Sequence, residues 1–286
     1  TKQVANIQIF IVPLYFVNNL HLMKIINKIK VLENKNAVIT GGSDGIGLGI
    51  AKAFAQNGAN LLLIGKDPEK LQKAQKELLD EHVVQVHTLA ADLSAMDSLT
   101  QVSQTILSQF PSIDILVNNT GLGKFVPFEQ VDNSLYEAHF NLNVKAPYFL
   151  TQGLLPALTR SKGNVINISS YFAHRMLPNR ATTVYSATKG ALNSFTKALA
   201  FEVGHLGVRV SAIAPGSIST PQFNRNLQAL TAEKQAAFET MVKEIYPLQH
   251  IGTAEDIAQA AVFLASENAS WITGTILAVD GGLTTN

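Results

Sequence analysis

No cysteine occurs among the 286 residues, which removes disulfides, thiolate nucleophiles and cysteine-ligated zinc from the devices open to this chain. A charge imbalance is missing too. Lys plus Arg total 22 against 21 Asp plus Glu, with no long run of either sign, so the electrostatic footprint of a nucleic-acid binder is lacking. The seven His residues are scattered (His21, His82, His87, His139, His174, His205 and His250). None forms the His-Glu-x-x-His pairing that sets two imidazoles on one helix face, so they read as surface or structural groups and no metal site is expected. Ile7 to Val17 (IQIFIVPLYFV) is apolar but falls short of the ~20 residues of a membrane helix, and Pro13 interrupts it. Its surroundings lack the basic start and small-residue cleavage site of a signal peptide. A fresh Met23-Lys24 precedes the first strand. Residues 1–22 therefore read as an upstream extension or the trace of an alternative start, with a membrane-associating anchor as the second reading and a cytoplasmic location expected.

What is present belongs to a packed globular protein: 47% hydrophobic and 15% charged residues in a chain long enough to bury a full core. From Asn36 onward, short apolar runs rich in β-branched residues alternate with helical patterns. Strands are predicted over residues 37–40, 60–64, 83–89, 113–118, 164–168, 208–214 and 276–279. Their apolar residues are continuous, as in strands buried on both faces. Helical spacing covers residues 46–56, 68–81, 95–109, 135–158, 186–203 and 254–265, and residues 232–245 add an inserted amphipathic helix. The pattern predicts an α/β, doubly wound Rossmann fold with a seven-stranded parallel sheet and helices on both faces. Residues 1–35 would be an N-terminal extension, and residues 36–286 one catalytic domain with a helical lid over about 217–251.

The first strand leads straight into Thr40-Gly41-Gly42-Ser43-Asp44-Gly45-Ile46-Gly47 at the head of a helix. In that context glycines let main-chain amides approach a pyrophosphate while the helix N-terminus faces its charge, which predicts a dinucleotide; a tight turn without a ligand is the plainer alternative. An acidic residue at the end of the second strand would hydrogen-bond a ribose 2′-hydroxyl and repel a 2′-phosphate. Gly65 and Lys66 stand there instead, which favours NADP with NAD as the alternative, although Asp44 and Asp67 argue the other way. Reducing a carbonyl also requires a proton for the oxygen that becomes negative. Free tyrosine titrates near pH 10, so a neighbouring ammonium would have to lower that value. Tyr185 and Lys189 lie four apart on one predicted helix face, just after Ser169-Ser170 at the end of a strand. A chance surface pair would share this spacing but not the position beyond a strand's carboxyl end.

Taken together, the Thr40–Gly47 spacing, Asp92-Leu93, Asn118-Asn119-Thr120-Gly121, Ser170 with Tyr185 and Lys189, and Pro215-Gly216-x-x-x-Thr220 resemble the short-chain dehydrogenase/reductase family. The stretch from Ile251-Gly252 through Trp271-Ile272-Thr273-Gly274 to Gly282 is closest in pattern to its 3-oxoacyl-acyl carrier protein reductases. The resemblance implies that Ser170 polarises the substrate oxygen, with Ser169 as the alternative because the segment before Tyr185 is about two residues longer than usual. It makes Tyr185 the proton donor or acceptor and has Lys189 lower the tyrosine pKa while holding the nicotinamide ribose. Asn143 is implied to position a water that relays protons to Lys189. The cofactor residues implied are Gly41, Ser43, Asp44, Gly45, Ile46, Gly47, Lys66, Asp92, Leu93, Asn119, Gly121, Tyr185, Lys189, Pro215, Gly216, Ile218 and Thr220. The expected activity is hydride transfer between NAD(P) and a carbonyl or alcohol, NADPH-dependent ketone or 3-oxoacyl reduction first. An NAD-dependent alcohol or steroid dehydrogenase, or a silent nucleotide-sensing module, would be the alternatives. A homotetramer or homodimer is expected. In the lid, Phe223, Leu227, Leu230, Phe238, Met241, Ile245 and Tyr246 form an apolar side that suits an apolar or extended carbonyl compound, unless the stripe is simply core.

Overall fold

The computed structural model describes residues 30–95, 98–178 and 180–285. Residues 1–22, with their expected extension or anchor, lie outside the described part. The chain divides into Thr1–Lys30 and Val31–Asn286, and the fold is that of the second unit. Its first half runs β1 (Asn36–Thr40), α1 (Gly45–Gln56), β2 (Asn60–Gly65), α2 (Pro68–Glu81), β3 (Val86–Ala90), α3 (Leu99–Gln109) and β4 (Ile115–Asn118). Next come α4 (Asn133–Phe140), a π-helical segment (Asn141–Lys145), α5 (Ala146–Ser161), β5 (Asn164–Ile168) and α6 (Thr183–Val203). The last part is β6 (Arg209–Pro215), β7 (Ile218–Ser219), α7 (Pro221–Gln228), α8 (Ala232–Ile245), β8 (Gly252–Thr253), α9 (Ala254–Ala265) and β9 (Ile276–Val279).

Seven of these strands form one parallel sheet in the order β3-β2-β1-β4-β5-β6-β9. Alternate residues of each apolar run feed two separate cores. Ile39, Leu61, Leu63 and Val117 meet Ile50 and Phe54 of α1 and Ile257 and Ala261 of α9 on one face. Val38, Leu62, Ile64 and Leu116 meet Val102 and Ile106 of α3 and Leu150 and Leu154 of α5 on the other. This two-sided burial is why the strands read as continuous apolar runs and not as alternating ones. Leu32, ahead of β1, is fully buried in the first of these cores, and its N–H bonds Asn57 O.

Several boundaries moved from their predicted places. The predicted strand from Val83 starts at Val86, since Val83 is 97% exposed and packs against nothing that would hold it in the sheet. The single helix predicted over 135–158 starts at Asn133 behind the Asp132 cap and is broken by the π-helical segment. The helix predicted from Ala95 begins at Leu99, and the one predicted from Ser186 at Thr183. Helix α7 was not predicted at all, although Thr220 caps it and Pro221 opens it, both ordinary start signals. β7 and β8 pair as a separate two-stranded sheet, Ile218 with Gly252 and Ser219 with Thr253. This pairing ties together the two chain ends of the lid. No helix among the described residues is long and apolar enough to cross a membrane.

Candidate active site

The strand order reverses at β1, whose neighbours are β2 and β4. Beyond the carboxyl ends of such a pair the connections diverge and leave a crevice. Thr40 stitches it: its Oγ1 donates to Val117 O at 3.3 Å and accepts from the N–H groups of Asn119 at 2.9 Å and Thr120 at 3.0 Å. Asn119 Nδ2 donates back to Thr40 O at 2.9 Å. The glycine loop is so tight that a Cβ on Gly47 would lie 2.1 Å from Gly41 O, and Gly41 itself has φ of +66°. Glycine is therefore obligatory at the point where the loop turns into α1. Such a loop at a helix N-terminus has main-chain donors available to a phosphate, and the crevice continues as a cleft of about 330 Å³. The donor set and the shape fit an extended, phosphate-bearing cofactor.

Around the loop the predicted residues are already engaged with each other. Asp44 caps α1, accepting from Gly45 N at 2.7 Å, and takes Lys70 Nζ at 2.9 Å. Partial burial works to raise its carboxyl pKa, but Lys70 and the Gly45 N–H outweigh it and hold the value below the usual range. Lys66 Nζ meets Asp92 Oδ2 at 2.8 Å, so two residues expected to contact the cofactor contact one another. Burial of Asp92 is likewise outweighed, here by Lys66 and Ser94, and its pKa is lowered. Asp67, counted against a 2′-phosphate in the sequence, caps α2 through bonds from Glu69 N and Lys70 N. The side chain of Leu93 is buried in the second core, so only its main chain could face a cofactor. Sequence reasoning missed Lys70; Pro68 at the start of α2 and the Asp67 cap would have placed it one turn above the glycine loop.

Tyr185 lines the cleft with Ser169, Ser170, Lys189, Asn119, Gly121 and the Pro215–Thr220 loop. Ser170 works to lower its phenol pKa, yet burial dominates and pushes the value up. The lowering expected from Lys189 is thus absent in this geometry. Lys189 Nζ lies 5.6 Å from the tyrosine ring centre and donates to Ile168 O at 2.7 Å. Desolvation brings the Lys189 ammonium down to about 8, because no counter-charge accompanies it into the interior. Ser169 Oγ faces Lys189 O at 3.5 Å, so it is Ser170 that stands beside the phenol. Asn143 is spent on protein partners: Oδ1 accepts from Leu122 N at 2.7 Å, and Nδ2 donates to Leu122 O at 2.9 Å and Thr188 Oγ1 at 3.0 Å. Phe125 meets the Tyr185 ring edge-on at 5.3 Å, a wall the sequence reading did not include.

On the far side, Pro215, Gly216, Ile218 and Thr220 line the cleft together with Gln222, Phe223 and Asn226 of α7. Of the predicted apolar lid residues only Phe223 faces it. Tyr246, Phe238, Met241 and Ile245 instead join Tyr171, Phe172 and Leu283 in a third apolar cluster. Of the stripe only Tyr246 is core, with Phe238, Met241 and Ile245 partly buried against it, and the cleft wall carries two carboxamides that sequence periodicity did not single out.

Against known proteins, the family model described as enoyl-(acyl carrier protein) reductase matches residues 41–284. The 3-oxoacyl-[acyl-carrier-protein] reductase of Chlamydia trachomatis is 36% identical over 257 residues, 88% of this chain and 98% of that protein. The L-rhamnose 1-dehydrogenase (NADP(+)) of Thermoplasma acidophilum is 32% identical over 256 residues, 89% and 98% of the two chains. Among solved structures, L-sorbose reductase from Gluconobacter frateurii, complexed with NADPH and L-sorbose, superposes with a TM-score of 0.84 at 32% identity, covering 89% of this chain and 98% of that one. With the sheet order, the glycine loop and the Ser170–Tyr185–Lys189 grouping already found independently, these chain-long likenesses establish that the protein belongs to the short-chain dehydrogenase/reductase family.

Proposed function

We propose that the protein is an NADPH-dependent reductase of ketones, using Tyr185 to protonate the carbonyl oxygen. The observation that carries this is the convergence of Tyr185, Ser170 and Lys189 on one cleft beyond the carboxyl ends of the strands. The glycine loop from Gly41 to Gly47, Asn119, Gly121 and the Pro215–Thr220 loop hold the cofactor along the crevice, with Ile218 and Thr220 at the nicotinamide end. When bound there, nicotinamide supplies the hydride. Ser170 donates to the substrate oxygen and polarises it, while Tyr185 delivers the proton. Lys189 restores that proton and holds the ribose. Because the Asn143 side chain is fully engaged, its share in proton relay falls to a water on its main chain.

The absence of a carboxylate at Gly65 supports NADP. The Lys66–Asp92 pair does not oppose this assignment. Its side chains are 66% and 41% exposed, and such surface pairs are worth only about 0–1 kcal/mol, whereas a phosphate gives a stronger charge-assisted bond. The relatives named as 3-oxoacyl reductases support a 3-oxoacyl substrate. Gln222 and Asn226 on the cleft wall favour a second reading, a ketone carrying hydroxyl groups, in keeping with the sugar named for the sorbose enzyme. An NADPH oxidation assay against 3-oxoacyl thioesters, simple ketones and ketoses separates the two. In that assay Tyr185→Phe is expected to lower kcat about 100-fold or more, the usual scale for losing a positioned acid. Turnover that survives this change would sink the assignment of Tyr185.

A further inference from the structure

The two helices of the lid bury little of their own surface. Helix α7 buries none of its residues, and α8 buries only Val242. Immediately after α8, Tyr246 is 2% exposed. Its ring packs in the cluster with Tyr171, Phe172, Leu177 and Leu283. Phenylalanine would satisfy that packing equally well. The tyrosine hydroxyl, costly to bury without partners, has found them on the loop after β6: it accepts from Ser217 N at 3.0 Å and donates to Ser217 Oγ at 2.9 Å.

Ser217 sits between Gly216 and Ile218, both on the cleft. Gly216 N bonds Val279 O at 3.1 Å and the Ser217 carbonyl accepts from Gly252 N at 3.0 Å, while Ile218 packs its side chain into the first core. Burial together with the adjacent Tyr246 raises the Tyr171 pKa, so that phenol stays protonated. Two hydroxyls from segments 29 residues apart therefore meet on the cofactor loop. We infer that Tyr246 is a positioning residue, whose hydroxyl pins the base of the lid to Ser217 and sets the height of the Gly216–Ile218 main chain against the nicotinamide end of the cofactor. The inference rests on the assignment of that loop to nicotinamide made above.

The test uses the full chain with Tyr246→Phe and titrates two probes by fluorescence: NADPH, and 2′-phospho-ADP-ribose, which keeps the phosphates but lacks nicotinamide. The expected result is a weakening of NADPH binding by roughly three- to tenfold, the range of one neutral hydrogen bond, with binding of the fragment unchanged. Should Tyr246→Phe fail to fold, Ser217→Ala, which removes the side-chain acceptor only, should show the same selective loss on a smaller scale. Equal affinities for both probes before and after substitution, or equal loss for both, would overturn the pin. Failure of the wild-type protein to bind NADPH at all would instead overturn the cofactor assignment on which it stands.

Discussion

At Lys189, burial and function pull in opposite directions. The side chain is 4% exposed and donates to the Ile168 carbonyl, so the folded state disfavours the charged ammonium and brings it down to about 8 from an ordinary 10.5. The unfolded chain then binds more protons between about pH 8 and 10.5. Relative to Lys189→Met, the wild-type protein should gain stability as pH rises through that window, by at most about 1.4 kcal/mol per unit. Below pH 8 the difference should be flat. Urea unfolding of both proteins at a series of pH values checks this, and a difference independent of pH would show that the lysine is solvated. Lys66 lies at the opposite extreme of exposure. Lys66→Ala should raise the NADPH dissociation constant about tenfold, on the scale of one charge-assisted bond, and leave NADH binding unchanged. Equal effects on both cofactors in a binding titration would reassign Lys66 to the Asp92 pair alone.

The π-helical segment between α4 and α5 shows how an element can be shaped by a contact from elsewhere. Asn141–Lys145 is continuous with good helical sequence on either side, yet Asn143 turns its amide onto both main-chain groups of Leu122. The one-residue widening presents that side chain to the turn after β4. Asn143→Ala would leave the Leu122 N–H and carbonyl without these partners, at ~1–3 kcal/mol for each buried group left unpaired. A drop in melting temperature with a fall in kcat is expected, measured by calorimetry and steady-state assay. An unchanged melting temperature would mean that water replaces the amide. The lid, in contrast, has short helices with ordinary caps, held by the β7–β8 pairing at its ends and by Tyr246 after its second helix.

For the whole molecule, the sheet's switch point brings together residues from five segments spread between Gly41 and Thr220. The surface away from that cleft exposes several large aromatics, among them Phe201 at 91% and Trp271 at 99%, with Tyr148 and Phe149 nearly half exposed on α5. Exposed aromatics of this kind are what an association surface would use, and self-association with closed symmetry is the common outcome. Sedimentation is expected to give a homotetramer or homodimer. The double substitution Tyr148→Glu and Phe149→Glu should reduce its size; a monomeric wild-type protein would remove the expectation.

The fold was legible in the sequence because each parallel strand is buried on two faces and each helix on one, so hydrophobic pattern alone marks them. The glycine loop and the Tyr185–Lys189 pair were legible for a related reason: local geometry demands glycine at one and helical spacing at the other. What spacing could not reveal depends on segments far apart in the chain. The partners of Lys66 and Asp44 arise from neighbouring β-α connections, and the break in the helix at Asn143 answers to Leu122. The raised Tyr185 phenol reflects how deeply the fold encloses it. Likewise, Tyr246 could be assigned to core and Gln222 with Asn226 to the cleft only once the lid had a place to pack. Sequence alone determined the family architecture and pointed to the candidate reacting groups, because those rest on short-range rules; tertiary structure decided charge pairing, burial and the cleft wall, because those depend on what each side chain meets.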